Sequence, residues 1–418
     1  MADSRSFSPI QYPSTLGVEE ARSRIVEVCS SRALPGEEVA LEAALGRVTT
    51  AAIVAPFDVP GFTNSAMDGF ALRGDELPAS GERRFRLIGE VFAGSGAAAD
   101  VVAGTCLRIT TGAPMPHGAD TVVMKESTRV DGDHVIVEAG TRSGANVRPA
   151  GEDYGAGDAA IARGSVLTPA RIGVLASFGA TRVAVSRRAR AILLTTGDEL
   201  VAPGLPLGFG QIHDSNRSSL GALLEQYGVA LVRHERVRDD PRILREALVR
   251  AGADADIILS SGGVSAGEAD YLPALIGELG TIHFWKVRIK PGMPFLFGEV
   301  GNALMFALPG NPVSGVAIFL TLLKPGLDAM SGLSVAPRRI RARLTHAIDK
   351  RHGRAEFQRA SLRCDDEGCL HVTALPRQGS GMLRGVADAD ALVMLPEGAR
   401  TFAAGDVVDV LPLAGWSR

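Results

Sequence analysis

The chain lacks most of the short signatures that mark common enzyme classes. It contains no GxxxxGK[ST] loop and no GxGxxG after a strand, so ordinary ATPase and dinucleotide-dehydrogenase readings lose their main support. Its 8 histidines form no HExxH pair and no Ser-His-Asp arrangement can be assigned from spacing. Of 4 cysteines, Cys364 and Cys369 flank a DDEG turn, without CxxC spacing or partner histidines, which speaks against a zinc site and for a reducing, cytoplasmic setting. Net charge is −3 and no basic block interleaves with aromatics, so nucleic acid is not an expected partner. The longest apolar run, residues 313–323, is too short to span a bilayer and reads as the start of a buried helix; no signal peptide and no membrane contact are expected.

What is there is a long chain whose patterning changes several times. At 418 residues it exceeds what one hydrophobic core serves, so several domains of about 100–150 residues are expected. Helical spacing of Val18, Ala21, Ile25 and Val28 predicts a first helix, and a second is expected over 38–44. From 84 to 139 short alternating runs such as RFRLIGEV and DTVVMKE predict an all-β unit, followed by a helix over 169–178. Between 189 and 332 apolar strands alternate with helices, the pattern of a doubly wound α/β sheet. After Pro337 short strands return and predict a closing β-barrel or sandwich. The expected fold is therefore multidomain. A helical N-terminal region (1–56 and 154–188) carries an inserted β domain (57–153), followed by the α/β domain (189–333) and a C-terminal β-barrel (334–418).

The chemistry-bearing residues gather in loops expected at strand ends: TTGDEL, RDDP, SSGGVSAGEADY and LPGNPVS. Glycines and helix starts free backbone amides that attract anions, whereas Asp198, Glu199, Asp239, Asp240, Glu268 and Asp270 repel them. A divalent cation between carboxylates and phosphate resolves that conflict. Glu199, Asp239 and Asp270 are the candidate metal ligands, with Asp198 read as a helix cap beside Glu199. Gly262 and Gly263 allow close backbone approach, and Ser260, Ser261 and Ser265 offer hydroxyls. In LPGNPVS, Pro309 and Gly310 turn the chain, Pro312 suits a first helical turn, and the free amides before Val313 face an anion; an ordinary proline-started helix is the alternative. Lys286, Arg288 and Lys290 alternate along FWKVRIKPG and are expected to project from one strand face, either as oxyanion contacts or as a solvated edge.

Together with PGFTNSAMDGFAL, RITTGAPMPHGADTVVMKE, NVRPAGEDYGAG and GQIHDSNR, these motifs resemble the molybdopterin molybdenumtransferases, the MoeA proteins and the gephyrin E domain, in the family's order along nearly the whole chain. The resemblance implies insertion of molybdate into the dithiolene of adenylyl-molybdopterin with release of AMP, magnesium as the ion, and a homodimer that shares its site between subunits. It further implies activity-linked roles for Asp68, Thr111, Asp153, Glu199, Asp239, Asp270, Lys286, Lys290, Pro309 and Pro312. By the same analogy the Gly310–Asn311 turn, Arg148, Arg359 and Ser380 of RQGSGM are candidate substrate contacts, and the molybdopterin adenylyltransferase is a conceivable partner. Thr63, Met293 and Phe209 depart from the family's pattern. An adenylyltransferase using the α/β domain alone, or a gephyrin-like scaffold, is the alternative function.

Overall fold

The computed structural model describes residues 15–95, 99–264, 271–333 and 340–413. The central element is a six-stranded sheet ordered Ala230–Val237, Arg190–Thr196, Ile257–Ser261, Ala303–Leu308, Leu296–Val300 and Gly280–Trp285. The first four strands run parallel, Leu296–Val300 runs antiparallel to them, and Gly280–Trp285 at the edge runs antiparallel to Leu296–Val300. The central parallel strands are almost continuously apolar because helices cover both faces. One face packs Leu193, Leu259 and Phe306 against the helix Pro312–Met330, and the other packs Ile192, Ile258 and Met305 against the helix Pro241–Asp254. The helix Pro312–Met330 is long and apolar enough to cross a membrane, yet 78% of its apolar window is buried inside the protein, as a core helix requires.

The first helix, Val18–Ser31, buries Ala21, Ile25 and Cys29 in that same core. Gly326 lets the two helices approach, because a Cβ there would sit 2.7 Å from Ile25 and 2.8 Å from Cys29. The second expected helix does not form. Residues Gly36–Ala40 are a strand paired with Arg182–Ser186, followed by a short 3-10 turn, Leu41–Ala43. Helix-forming composition loses here to a pairing partner far away in the chain, which local spacing cannot reveal.

The segment between these strands carries a six-stranded sheet ordered Thr121–Met124, Gly69–Leu72, Thr105–Ile109, Glu82–Val91, His134–Glu138 and Thr128–Asp131. Its two cores draw only on residues from 70 to 147 and share no member with the α/β cores. Five strands near the C-terminus close into a barrel, since Ala355–Cys364 pairs with both Leu370–Ala374 and Ala391–Leu395 while Ile340–Leu344 and Val407–Pro412 complete the circuit. The barrel is stitched to the α/β domain by Ile289–Lys290, which adds in parallel to Ala355–Glu356.

Asp256 ties the foot of the sheet to the preceding linker. It accepts bidentate hydrogen bonds from Arg187 at 2.7 Å each and one from the Arg190 amide at 2.7 Å. Burial alone opposes ionisation, but these donors outweigh it and hold the carboxyl below its ordinary range. A carboxyl with a depressed folded pKa contributes stability above its unfolded pKa of about 3.9 and loses it as pH falls through the folded value. The melting-temperature gap between wild type and Asp256→Asn should therefore be widest above about pH 5 and narrow as pH falls through the folded pKa. A gap independent of pH in calorimetry would assign the acid lability elsewhere.

Candidate active site

Four of the loops line one edge of the central sheet in spatial order. The register Thr196↔Val237 sets the loop carrying Glu199 beside the loop carrying Asp239. Thr195↔Ser261 and Ser261↔Leu308 then place the glycine pair next, and Pro309–Pro312 last. Asp240 is no ligand: it caps the helix Pro241–Asp254, accepting from the amides of Arg242 and Ile243 at 2.8 and 3.3 Å. Those bonds hold its carboxyl below the usual range.

The loop at 195–200 differs from expectation. No helix follows it, because Leu200–Val201 pairs with Ile212–His213 around the PGLPLG segment. Asp198 is thus not a cap but an exposed residue 3.5 Å from Arg238. The cap of the next helix is Asp214, which sequence reasoning missed; it accepts from the Arg217 amide at 2.9 Å and the Thr195 hydroxyl at 2.6 Å. Beside it His234, 3.1 Å from Thr195 Oγ1, is pushed below the ordinary histidine range by burial and then by Arg217. An Asp directly before the SNR run, a common N-cap pattern, was the available signal.

The glycine pair takes backbone conformations that favour glycine. Gly262 and Gly263 have φ of +100° and +67°, and a Cβ on Gly262 would meet Thr196 O at 2.6 Å. Ser261 Oγ accepts from Asn216 Nδ2 at 2.8 Å, and the same amide donates to Gly310 O at 2.6 Å, so Asn216 clamps two loops together. The buried hydroxyls of Thr196 and Ser260 have no hydrogen-bond partner among the described residues. Ser265, Glu268 and Asp270 lie outside the described residues.

Pro312 opens its helix as anticipated, with Asn311 preceding it. The Val313 amide itself donates to Ser380 O at 3.1 Å. That bond brings the C-terminal loop 377–382 onto the helix start. Lys290, Met293, Pro309, Gly310, Asn311 and Ser380 thereby line one cavity of about 450 Å³ between the α/β domain and the barrel.

The three cations of FWKVRIK do not share a strand face. The strand ends at Trp285, and Lys286 adopts φ +74° with its ammonium 4.6 Å above the Trp285 ring. Arg288 pairs with Glu397 at 2.8 Å, and Lys290 with Glu356 at 2.9 Å. The break arises because residues 286–290 leave the sheet to join the barrel. Arg359 also corrects its expectation as an anion ligand. It is 1% exposed and donates to the carbonyls of Arg377, Gly379 and Met382 at 2.8–3.1 Å and to Gln378 Oε1 at 3.3 Å. A guanidinium so placed holds the loop that carries Ser380.

A second cluster lies in the inserted β domain. Asp68 accepts from the Thr111 amide and hydroxyl, both at 2.8 Å, with Lys125 Nζ at 3.8 Å. The Thr111 bonds, with smaller help from Lys125 and Arg108, hold its carboxyl below the ordinary range. Gly69 is dictated by packing, since a Cβ there would meet Val123 O at 2.0 Å. Arg148 pairs loosely with Glu152 at 3.8 Å, and Asp153 is an exposed loop residue whose amide bonds Val59 O. The described partners of Asp68 all belong to this domain, so the structure brings together one cluster here and another at the sheet edge.

Three family descriptions tile the chain: the MoeA N-terminal region (domain I and II) at 16–179, the probable molybdopterin binding domain at 192–329, and the MoeA C-terminal region (domain IV) at 341–413. The chain belongs to the MoeA family. A molybdopterin molybdenumtransferase of Haemophilus influenzae is 34% identical over 400 residues, covering 95% of this chain and 98% of its own length. One of that name from Staphylococcus aureus is 34% identical, covering 96% of each. Among solved structures, a molybdopterin biosynthesis moeA protein from Pyrococcus horikoshii superposes with a TM-score of 0.82 at 27% identity, covering 95% of this chain and 99% of that one. This MoeA-family chain is accordingly a transferase of molybdenum cofactor biosynthesis.

Proposed function

We propose that the protein inserts molybdate into adenylyl-molybdopterin and releases AMP in a magnesium-dependent step. The observation that carries this reading is the charge order along one sheet edge: carboxylates of Asp239 and Glu199 at one end, the serine and glycine turn at 261–263 in the middle, and the Lys290 cavity at the other. A nucleotide pyrophosphate needs the first two and an oxyanion the third.

Magnesium suits the acidic end. Among the described residues no three His, Cys, Asp or Glu side chains form a cage, and magnesium does not require one: it is usually held by one or two carboxylates plus substrate phosphates and water. Glu199 and Asp239 would hold it, with Asp270 as a third candidate, and the bound ion would neutralise the pyrophosphate. Lys290, Asn311 and Ser380 would contact molybdate, the Gly262–Gly263 backbone and Ser261 the pterin phosphate, and Lys286 would add charge nearby.

Asp68, Thr111, Arg148 and Asp153 sit on a domain whose cores are independent of the α/β domain. We assign them to the sheet edge of a second copy in a homodimer. The test follows AMP release from adenylyl-molybdopterin with molybdate and magnesium, and mass in solution. Mixing inactive Asp68→Ala with inactive Glu199→Ala protein should restore part of the turnover, since one mixed site is intact. A monomer, or no restoration after subunit exchange, would rule out the shared site, and absence of AMP release would rule out the reaction.

A further inference from the structure

The cavity wall contains a carboxylate that the proposed chemistry does not use. Glu356 lies on the barrel strand Ala355–Cys364, directly opposite Lys290 in the parallel pairing that joins barrel to α/β domain. Its side chain is 6% exposed and Oε1 is 2.9 Å from Lys290 Nζ, while the lysine side chain remains 41% exposed to the cavity. On its other side His352 Nε2 lies 3.1 Å from Oε2 without hydrogen-bond geometry. Nearby Lys350 spends its ammonium on the carbonyls of His352 and Gly398. Lys290 is therefore the cation that engages Glu356 from the cavity side.

An ion pair with one partner half-exposed adds little stability, because burying the carboxylate costs desolvation while solvent screens the lysine. Its placement in the wall of a cavity that should take an anion calls for a different explanation. A flexible lysine head loses rotamer freedom when fixed, and an unfixed one would spread its charge over the cavity mouth. We infer that Glu356 is a positioning residue: its carboxylate, 2.9 Å from Nζ, holds the Lys290 ammonium in the cavity by charge, leaving its donors for the oxyanion. Because Glu356 belongs to the barrel and Lys290 to the α/β domain, the lysine is set only when the two domains are docked.

The inference rests on Lys290 contacting substrate, and its test separates the two claims. Glu356→Gln keeps shape and an acceptor but removes the charge. With the full chain, molybdate and adenylyl-molybdopterin, it should lower kcat by about 10²-fold, the cost of a misplaced group. KM for molybdate should change far less, and Glu356→Asp should recover part of kcat. In a Lys290→Ala background the Glu356→Gln change should cost nothing further, since it acts through the missing group. A multiplicative loss in that background, or unchanged kcat in Glu356→Gln alone, overturns the positioning role. Full activity of Lys290→Ala would instead overturn the contact between Lys290 and substrate. If Glu356→Gln does not fold, the same cycle is run with Glu356→Asp.

Discussion

Glu199→Ala and Asp239→Ala should each lower AMP release by about 10²–10³-fold, the scale on which preorganised charge at a reacting centre is felt. Glu199 is exposed, and substitutions at such positions usually shift stability by within about 0.5 kcal/mol, so the loss should appear without a change in melting temperature. Both variants should also need more magnesium, and raising its concentration should recover part of the rate. The adjacent Asp198→Ala, which removes only the exposed pair with Arg238, should stay close to wild type. Equal sensitivity of all three positions would mean that the loop's shape matters, not a metal. Undiminished turnover in Glu199→Ala and Asp239→Ala would remove both from the site.

Arg359→Met should be the most destabilising change in the barrel, on the order of 3–5 kcal/mol. It strips a fully buried donor from three carbonyls and from Gln378, and buried acceptors left unpaired carry their full desolvation cost. The loop 377–382 should then become sensitive to proteolysis, and molybdate affinity should fall with it, because Ser380 is seated by the same loop. Arg359→Lys should not rescue, since an ammonium cannot reach the carbonyls that the planar fork spans. A variant with wild-type melting behaviour and weakened molybdate binding would return Arg359 to the role of a direct ligand.

Much of this protein could be read from local pattern. The alternating β runs of the insert, the strand-helix alternation from Arg190 onwards and the strand runs of the barrel all formed, because each buries an apolar face whose period is written into a few consecutive residues. Loop positions followed as well: glycines with positive φ and a proline at the first turn of a helix are demands of the backbone itself. Motif order, compared with a known family, supplied the identity that periodicity could not.

What local pattern misjudged shares one cause. The segment 36–40 became a strand because residues 182–186 offered a partner. Asp198 was not a cap because 200–201 found 212–213. Arg288 and Lys290 left the strand because 289–290 paired with the barrel strand and met carboxylates of the barrel there, and Arg359 was turned inward by carbonyls of a loop 18 to 23 residues on. The sequence by itself determined most of the strands and helices and the glycine and proline turns between them, since those depend on neighbours a few residues away. Only the tertiary structure decided which charges point into the cavity and which are consumed in building it, because a charged side chain takes the nearest desolvated partner, and that partner is set by how distant segments pack.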